Sequence, residues 1–244
     1  MMRLGSVLPL IAALLASGSA MAQQSLTPDQ IIAALRAPTA STGNIADAVE
    51  EATGARGFMH HDMKPIFKTK IVGRAATALQ RPVLKHDTRK YPNYALEILD
   101  EAPPGSVLVY VLENGLEIAG MGNLMATTAK VRGLEGAVID GAARDVEEVT
   151  RIGFPIFSRA ISPATSVGRY VSVAKQVPVT CAGILVSPGD YIIGDSDGVV
   201  VVPQGAAARV VELIGQYDDK ESRMLPIIER EKSMLKALEL YNRY

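Results

Sequence analysis

The chain has 244 residues, a formal net charge of −1 and 48% hydrophobic residues. A near-neutral chain without a lysine- and arginine-rich block lacks the electrostatic surface that nucleic-acid binding requires, so nucleic acid is not expected as a partner. The length and the hydrophobic content suffice for one sizeable domain and do not clearly support two.

The first 22 residues have the layout of a secretory signal peptide. Arg3 precedes an apolar run from Leu4 to Ala16, and small residues close on an A-x-A cleavage site at Ala22. The run is too short for a membrane span, which needs about 20 residues. We therefore expect export, to the periplasm or the medium, of a mature chain without a stable membrane anchor. A short uncleaved anchor is the alternative.

Two helices are predicted next. Thr27 and Gln30 have the spacing of a capping box, which predicts a helix to about Arg36. A second helix is predicted within residues 41–54, with Gly54 as its C-terminal stop.

The remaining elements indicate a layered α/β domain over residues 23–203 and a helical extension over 204–244. The extension is expected to be interrupted at Pro226, because proline removes a backbone donor. Strands are predicted at 66–79, 106–113, 134–140 and 155–162, with a run of hairpins over 170–203. Cys181, the only cysteine, lies in this run and is expected to be a buried small residue.

The glycine-rich segment IAGMGNLMATTAK, residues 118–130, is one place where a ligand could bind. Gly122 permits a close backbone approach, and Asn123 is a plausible N-cap for a helix that continues with Leu124 and Met125. The free N–H groups of such a helix start suit a carboxylate or a phosphate. A glycine turn that serves packing alone is the alternative. The full dinucleotide fingerprint is missing, which disfavours a nucleotide cofactor.

A second candidate is GAARDVEEVTRIGFP, residues 141–155. Asp145 and Glu148 have capping-box spacing, and apolar residues recur every third position over 146–152, so a short helix that stops at Gly153 is predicted. Arg144 does not fit this interpretation, because a cation near a helix start opposes the helix dipole. Its anionic partner could be a substrate.

Two other polar groups are weaker candidates. His60, His61 and Asp62 could suggest a metal cluster, but neighbouring side chains in an extended chain point apart, which favours a polar loop. Asp195 and Asp197 are explained by the chemistry of a turn.

Three ordered segments together resemble a known family: GMGNLMATTA, GAVIDGAARDVEEVTRIGFPIF and VPVTCAGILVSPGDYIIGDSDGVVVVP. They are similar to the family of the regulator of RNase E activity A and the class II 4-hydroxy-4-methyl-2-oxoglutarate / 4-carboxy-4-hydroxy-2-oxoadipate aldolases. The resemblance extends over residues 41–203. It implies a layered α/β/β/α domain of the swivelling β/α type that forms a homotrimer or a hexamer.

The resemblance also implies a site at the subunit interface that holds a divalent metal, Mg or Mn. Arg144 and Asp145 match the last two positions of the family motif D-x20-R-D, with Asp145 as metal ligand. Leu124 and Met125 match residues whose backbone N–H groups hold the carboxylate of pyruvate, beside Gly122. Asn123 stands where those aldolases have Asp, which is a departure from the motif.

The function that the resemblance implies is an exported metal-dependent lyase. It would cleave a small 4-hydroxy-2-oxo acid, or decarboxylate oxaloacetate, through the enolate of pyruvate, with Arg144 and Asp145 as catalytic residues. The alternative is a non-catalytic protein that binds a small carboxylate or a protein partner. Glu221 could approach the site of a neighbouring subunit, but a charged solvated helix is the favoured explanation.

Overall fold

The computed structural model of the chain describes residues 26–84 and 87–241, so the predicted signal peptide, residues 1–22, lies outside the described residues. The described helices are α1 (Pro28–Arg36), α2 (Thr42–Thr53), α3 (Tyr94–Glu101), α4 (Asn123–Val131), α5 (Val146–Ile152), α6 (Ala207–Glu231) and α7 (Met234–Leu240). The strands are β1 (Lys64–Pro65), β2 (Ile71–Pro82), β3 (Ser106–Leu112), β4 (Ala119–Met121), β5 (Gly136–Ala143), β6 (Ile156–Ile161), β7 (Tyr170–Lys175), β8 (Val179–Cys181), β9 (Ile184–Val186), β10 (Tyr191–Gly194) and β11 (Val199–Val202).

Nine strands form one mixed sheet in the order β1-β6-β5-β3-β2-β10-β11, with β4 beside β5 and β7 beside β2. The central strands β2, β3, β5 and β6 run parallel, whereas β10 and β11 are antiparallel. A separate hairpin joins β8 and β9. The chain is thus a mixed α/β protein, as the sequence predicts. The run of hairpins predicted over 170–203 is not continuous, because β9 and β10 belong to different sheets.

Both faces of the central sheet are covered. Every residue of β3 is buried, which is typical of a parallel strand between two layers. Helices α3, α4 and α5 pack on one face, and the β8–β9 hairpin packs on the other. Helices α1, α2 and α6 cover the antiparallel end at β10 and β11. Among the residues that the structure describes, no helix combines the length and the apolar composition needed to cross a membrane.

Local capping signals correctly predict the first two helices. Thr27 and Gln30 form the capping box of α1, and Gly54 ends α2 with a φ of 70°. Helix α3 was not predicted, because its cap is not local. Asn93 makes no side-chain cap bond, and the N–H of Ala95 instead donates to Ser172, 77 residues away.

The predicted break at Pro226 is wrong. Helix α6 continues through Pro226 to Glu231 and ends at Lys232, which has a φ of 51°. Met224 and Ile227, on either side of the proline, are buried in one cluster with Ala237 of α7. We attribute the continuity to this packing, which offsets the lost backbone hydrogen bond.

The parallel strands place both candidate segments at one edge of the sheet. The carboxyl ends of β2, β3 and β5 lie together, and α/β proteins bind ligands at such edges. Helix α4 starts directly after β4, which pairs with the end of β5. Arg144 and Asp145 follow the last residue of β5. The fold therefore brings segments 118–130 and 141–155 into contact.

Candidate active site

Gly122 lies where the two segments meet. It is the N-cap of α4 and has an extended backbone, and Asn123 is the first helical residue. The prediction that Asn123 is the N-cap is therefore wrong by one position. A Cβ atom on Gly122 would lie 2.5 Å from Oδ2 of Asp145 and 2.9 Å from Nε of Arg144. Only glycine permits this approach of the helix start to the two charged side chains.

The Asp145 carboxylate caps the neighbouring helix α4, and the predicted capping box with Glu148 is wrong. Asp145 precedes α5 but makes no side-chain bond to it. Its φ of 56° and ψ of 41° place it in the left-handed region, which aspartate adopts more readily than most residues. In this conformation Oδ2 accepts a hydrogen bond of 2.9 Å from the backbone N–H of Asn123.

Arg144 extends from the end of β5 toward the same point. Its backbone N–H donates to the carbonyl of Met121, and its Nε lies 3.6 Å from Oδ2 of Asp145. The side chains of Arg144 and Asp145 are 39% and 38% exposed, so their mutual attraction is screened by water. Within the described part of the chain, no hydrogen bond engages the Nη groups of Arg144, which leaves them available to an anion.

The start of α4 supplies further donors. The first N–H groups of an α-helix have no partner within the helix, and here the N–H of Asn123 is already bound by Asp145. Those of Leu124 and Met125 follow in the same turn, beside Arg144. The Leu124 side chain is 82% exposed, and Met125 is half-buried against the core. The predicted residues Gly122, Asn123, Leu124 and Met125 thus adjoin the two charged residues.

Asn123 contributes no charge to this group. Its side-chain Oδ1 accepts a hydrogen bond of 3.3 Å from the hydroxyl of Thr127, one turn later in α4. Its backbone N–H, rather than its side chain, makes the contact with Asp145.

The other sequence candidates lie elsewhere. Asp62 binds Arg159, and within the described ranges no three His, Cys, Asp or Glu residues form a metal-binding group. Asp195 accepts from Asp197 in its turn, as predicted, and also binds the backbone and the hydroxyl of Thr42.

Cys181 and Glu221 are both held within the chain. Cys181 is fully buried, as predicted, and burial raises the pKa of its thiol well above the usual value. Glu221 accepts a hydrogen bond of 3.3 Å from Asn44 of α2 in the same chain.

Sequence reasoning missed an ion-pair network on Arg159 of β6. The guanidinium binds Asp62 through Nε and Nη2, and Nη1 donates to Asp140 at 3.0 Å. Asp140 also accepts from the backbone N–H of Ala182. Hydrogen bonds from Arg159 hold the pKa of Asp62 below its usual value, against the opposing effect of burial. Asp62 and Arg159 are 97 residues apart, so no local pattern signals this network.

A protein-family model described as "RraA-like: Aldolase/RraA" matches residues 42–201. The chain belongs to the RraA-like family. The match contains every residue of the candidate site, and it agrees with the family that the sequence motifs indicate.

Three relatives illustrate how this RraA-like chain compares with curated proteins. It is 34% identical over 129 residues to an uncharacterized protein of Methanocaldococcus jannaschii, covering 52% of this chain and 61% of that protein. It is 30% identical over 108 residues to the 4-hydroxy-4-methyl-2-oxoglutarate aldolase of Thermus thermophilus, covering 44% and 65%. Protein DlpA of Legionella pneumophila is 29% identical over 202 residues, covering 82% and 32%. The chain therefore spans less than two thirds of the length of each.

Solved structures share the RraA-like fold over most of the chain. A protein from Pseudomonas syringae pv. tomato superposes with a TM-score of 0.79 at 29% identity, covering 89% of this chain and 96% of that one. RraAS2 of Streptomyces coelicolor, described as an unusual member of the RNase ES inhibitor RraA protein family, gives a TM-score of 0.71 at 27% identity, covering 81% and 96%.

Proposed function

We propose that this protein is a divalent-metal-dependent lyase that releases pyruvate from a small 4-hydroxy-2-oxo acid or from oxaloacetate. One observation carries the proposal: the guanidinium of Arg144, the carboxylate of Asp145 and the free amides at the start of α4 converge around Gly122. A relative named as an aldolase supports the reaction class.

The oxygen donors at this point suit a magnesium or manganese ion. Oδ2 of Asp145 is bound by the amide of Asn123, whereas no described residue donates a hydrogen bond to Oδ1. Magnesium commonly binds through one or two carboxylates and keeps several water ligands, so a single outward carboxylate oxygen fits this ion. When bound, the ion would stabilise the negative charge that develops as the enolate of pyruvate forms.

The residues of the chain bind and orient the substrate. The N–H groups of Leu124 and Met125 hold its carboxylate, because a helix start favours an anion. The guanidinium of Arg144 donates to the keto oxygen, where negative charge accumulates as the bond to C3 breaks. A donor placed at a developing oxyanion lowers the activation free energy by about 3 to 4 kcal/mol. The substrate thereby gives Arg144 an anionic partner, which offsets the unfavourable position of a cation near a helix start.

Asn123 favours decarboxylation over aldol cleavage. An amide in place of a carboxylate removes one negative charge from the side of a bound cation, so weaker metal binding follows. Aldol cleavage also requires removal of a proton from the 4-hydroxyl, which decarboxylation of oxaloacetate does not. Decarboxylation therefore tolerates the substitution better.

The test is a metal-supplemented screen of 2-oxo acids with pyruvate formation as the readout. We expect pyruvate release with Mg or Mn, reduced about a hundredfold or more in Arg144→Ala. Asp145→Ala removes both the metal ligand and the cap of α4, and we expect it to abolish the metal dependence. An exposed arginine on α6, changed in Arg223→Ala, is the matched control. Equal rates for Arg144→Ala and Arg223→Ala would exclude the proposed role of Arg144.

A second candidate function is binding of a small carboxylate without turnover. Asn123 favours it, because the aldolase motif is incomplete at that position. Binding of pyruvate that depends on Arg144, with no turnover of any 2-oxo acid under any metal, would support this candidate. A regulator that binds a protein partner is the remaining alternative for this family.

The location and the assembly are also proposals. We propose that the mature chain begins near residue 23, is exported to the periplasm or the medium, and forms a homotrimer or a hexamer. N-terminal sequencing of the protein from fractionated cells tests the first part. An intact Met1 in the cytosolic fraction would contradict it.

A further inference from the structure

A cavity of about 410 Å³ lies at the opposite edge of the sheet from Arg144 and Asp145. It opens between the start of α2, the segment 56–61 and the turn that joins β10 and β11. That turn follows Gly194, which pairs with Ile71 at the first residue of β2. Arg144 instead follows the carboxyl end of β5, and both β2 and β5 run parallel to β3. Within one chain the cavity is therefore separate from the candidate active site.

Two nitrogen-bearing side chains converge on one side of this cavity, at Gly183 in the β8–β9 turn. A Cβ atom on Gly183 would collide with Nε2 of His60 and would lie 3.0 Å from Nη2 of Arg56. The guanidinium of Arg56 also lies 5.0 Å from the ring centroid of Phe58, a contact that orients it. Among the described residues, none forms a hydrogen bond or an ion pair with Arg56 or with the imidazole of His60. The chain thus aims two donors at one point and supplies no anion for them.

Lys64 supplies a cation on the other side of the cavity. Its Nζ donates to the backbone carbonyl of Asp197 in the β10–β11 turn, and an ammonium group has two further N–H groups to donate. The segment between the two sides is flanked by both turns, because the N–H of Met59 donates to β11 and that of His60 donates to the β8–β9 turn. Neighbouring strands lie about 4.8 Å apart, so the two sides are separated by a distance on the order of 10 Å.

The floor between these two sides is apolar. Phe58 pairs with Val200 of β11 and is 42% exposed, and Ala46 of α2 lines the cavity as well. The order of groups across the cavity is therefore donors, hydrocarbon surface, donor. A short hydrocarbon chain with a carboxylate at each end has the complementary order, since each carboxylate meets charged donors and the chain meets apolar atoms. A compact anion such as phosphate would reach only one side.

The cations outnumber the acidic groups in the lining. Arg56 and Lys64 carry full charges, and His60 and His61 add charge when they are protonated. Asp197 is the one acidic residue among the described residues that line the cavity. Its carboxylate adjoins the Lys64 side and opposes a bound anion, so its removal should improve binding.

We propose that this cavity is a second binding site, which takes a small dicarboxylate with one carboxylate at Arg56 and His60 and the other at Lys64. Two hydrogen bonds of about 2.9 Å and a four-carbon chain cover a span on the order of 10 Å, so a four-carbon dicarboxylate has a suitable length. The site uses none of the residues of the proposed lyase. Binding therefore requires neither a metal nor turnover, and this inference goes beyond the proposed function.

The experiment compares fumarate and maleate by titration calorimetry in metal-free buffer. Fumarate holds its carboxylates at opposite ends, whereas maleate holds them on the same side. We expect fumarate to bind about tenfold more tightly than maleate or inorganic phosphate, because only fumarate makes charge-assisted hydrogen bonds on both sides. Equal affinities for fumarate and maleate, or tighter binding of phosphate, would overturn the inference.

Substitutions at exposed positions test each side of the cavity. Arg56→Gln and Lys64→Gln should each weaken fumarate binding about tenfold, the effect of one lost charge-assisted hydrogen bond. Asp197→Asn should tighten it about threefold, because the opposing charge is removed. Arg223→Gln, at an exposed arginine on α6, is the matched control and should bind as the wild type does. Unchanged affinity in both Arg56→Gln and Lys64→Gln would contradict the proposed site.

A further variant separates this inference from the proposed function. Arg144→Ala should bind fumarate as tightly as the wild type, because Arg144 lies at the other edge of the sheet. Loss of binding in Arg144→Ala, with normal binding in Arg56→Gln, would assign the dicarboxylate to the candidate active site and overturn this inference alone. Fumarate binding that depends on Arg56, in a protein that releases pyruvate from no 2-oxo acid, would support this inference and remove the proposed function.

Discussion

Gly122 is the residue that most directly tests the geometry of the site. In Gly122→Ala the new Cβ meets Oδ2 of Asp145 at 2.5 Å, so the helix start and the carboxylate must separate. We expect loss of pyruvate release and of magnesium binding, with a stability cost of about 1 to 3 kcal/mol from overpacking. Urea unfolding and steady-state kinetics measure the two effects.

Gly215→Ala is the matched control for that substitution. Gly215 lies within α6, and a Cβ there meets nothing within 4 Å. We expect unchanged activity and a gain of about 0.5 to 1 kcal/mol, because alanine is the better helix former. Full activity in Gly122→Ala would show that the close approach is not required.

Asn123→Asp restores the carboxylate of the aldolase motif. We expect tighter magnesium binding, seen as a lower magnesium concentration at half-maximal pyruvate release, because a second negative charge adjoins the cation. Ser233→Asp adds the same charge at the N-cap of α7, where aspartate also caps well, and serves as the control. An identical magnesium dependence in Asn123→Asp and wild type would argue against a metal at this position.

Asp62 links stability to pH. Its folded pKa lies below its unfolded value because Arg159 binds the carboxylate, so folding favours the ionised form. The stabilisation is present in full above about pH 4, the unfolded pKa of aspartate, and is lost as pH falls through the folded pKa. Asp62→Asn should be less stable than wild type by about 1 kcal/mol at pH 7, and the difference should shrink toward pH 3. Urea unfolding at each pH measures this difference in stability. If the difference stayed constant from pH 7 to pH 3, the ion pair with Arg159 would not be its cause.

At the scale of elements, sequence patterns predicted what is determined locally. The cap of α1 and the end of α2 depend on residues within one turn, and both predictions are confirmed. The caps of α3 and α4 come from Ser172 and Asp145, each of which belongs to another segment. The sequence therefore indicated Arg144, Asp145 and the glycine segment as candidates, and the structure brings them together. The sequence could not show that Asp145 caps α4 rather than α5.

Pro226 provides a test of packing within α6. The helix continues past the proline, and Met224 and Ile227 on either side of it pack with α7. Pro226→Ala should restore a backbone donor and stabilise the protein by about 1 to 3 kcal/mol, measured by thermal unfolding with unchanged pyruvate release. If Pro226→Ala gave no gain in stability, the restored hydrogen bond would be offset by the greater conformational entropy of the unfolded chain without proline.

At the scale of the whole molecule, the fold class and the family were predictable from three ordered motifs, because they lie at the segments that frame the parallel sheet. A cavity of about 320 Å³ lined by Gln80 was not predictable. It forms where β2, β4, β7 and the start of α3 meet, and these segments are distant in the sequence.

The assembly is the prediction that belongs to this scale. Leu124, at the candidate site, is 82% exposed in the single chain. The side chains of Arg144 and Asp145 are each more than a third exposed. We expect a neighbouring copy to cover this area, so light scattering after gel filtration should give three or six times the mass of one mature chain. Leu124→Asp should lower that mass and the activity together. A monomer with full activity would contradict the proposal.

The contact between Asp145 and the main-chain N–H at position 123 has an evolutionary consequence. The link that holds the two helix starts together uses no atom of the Asn123 side chain, so that side chain can change while the scaffold persists. If the proposed function holds, a single codon change at this position would alter the affinity for a cation, and with it the preferred chemistry, at little cost in folding. Related proteins could diverge from cleavage to decarboxylation, or to simple ligand capture, by this route.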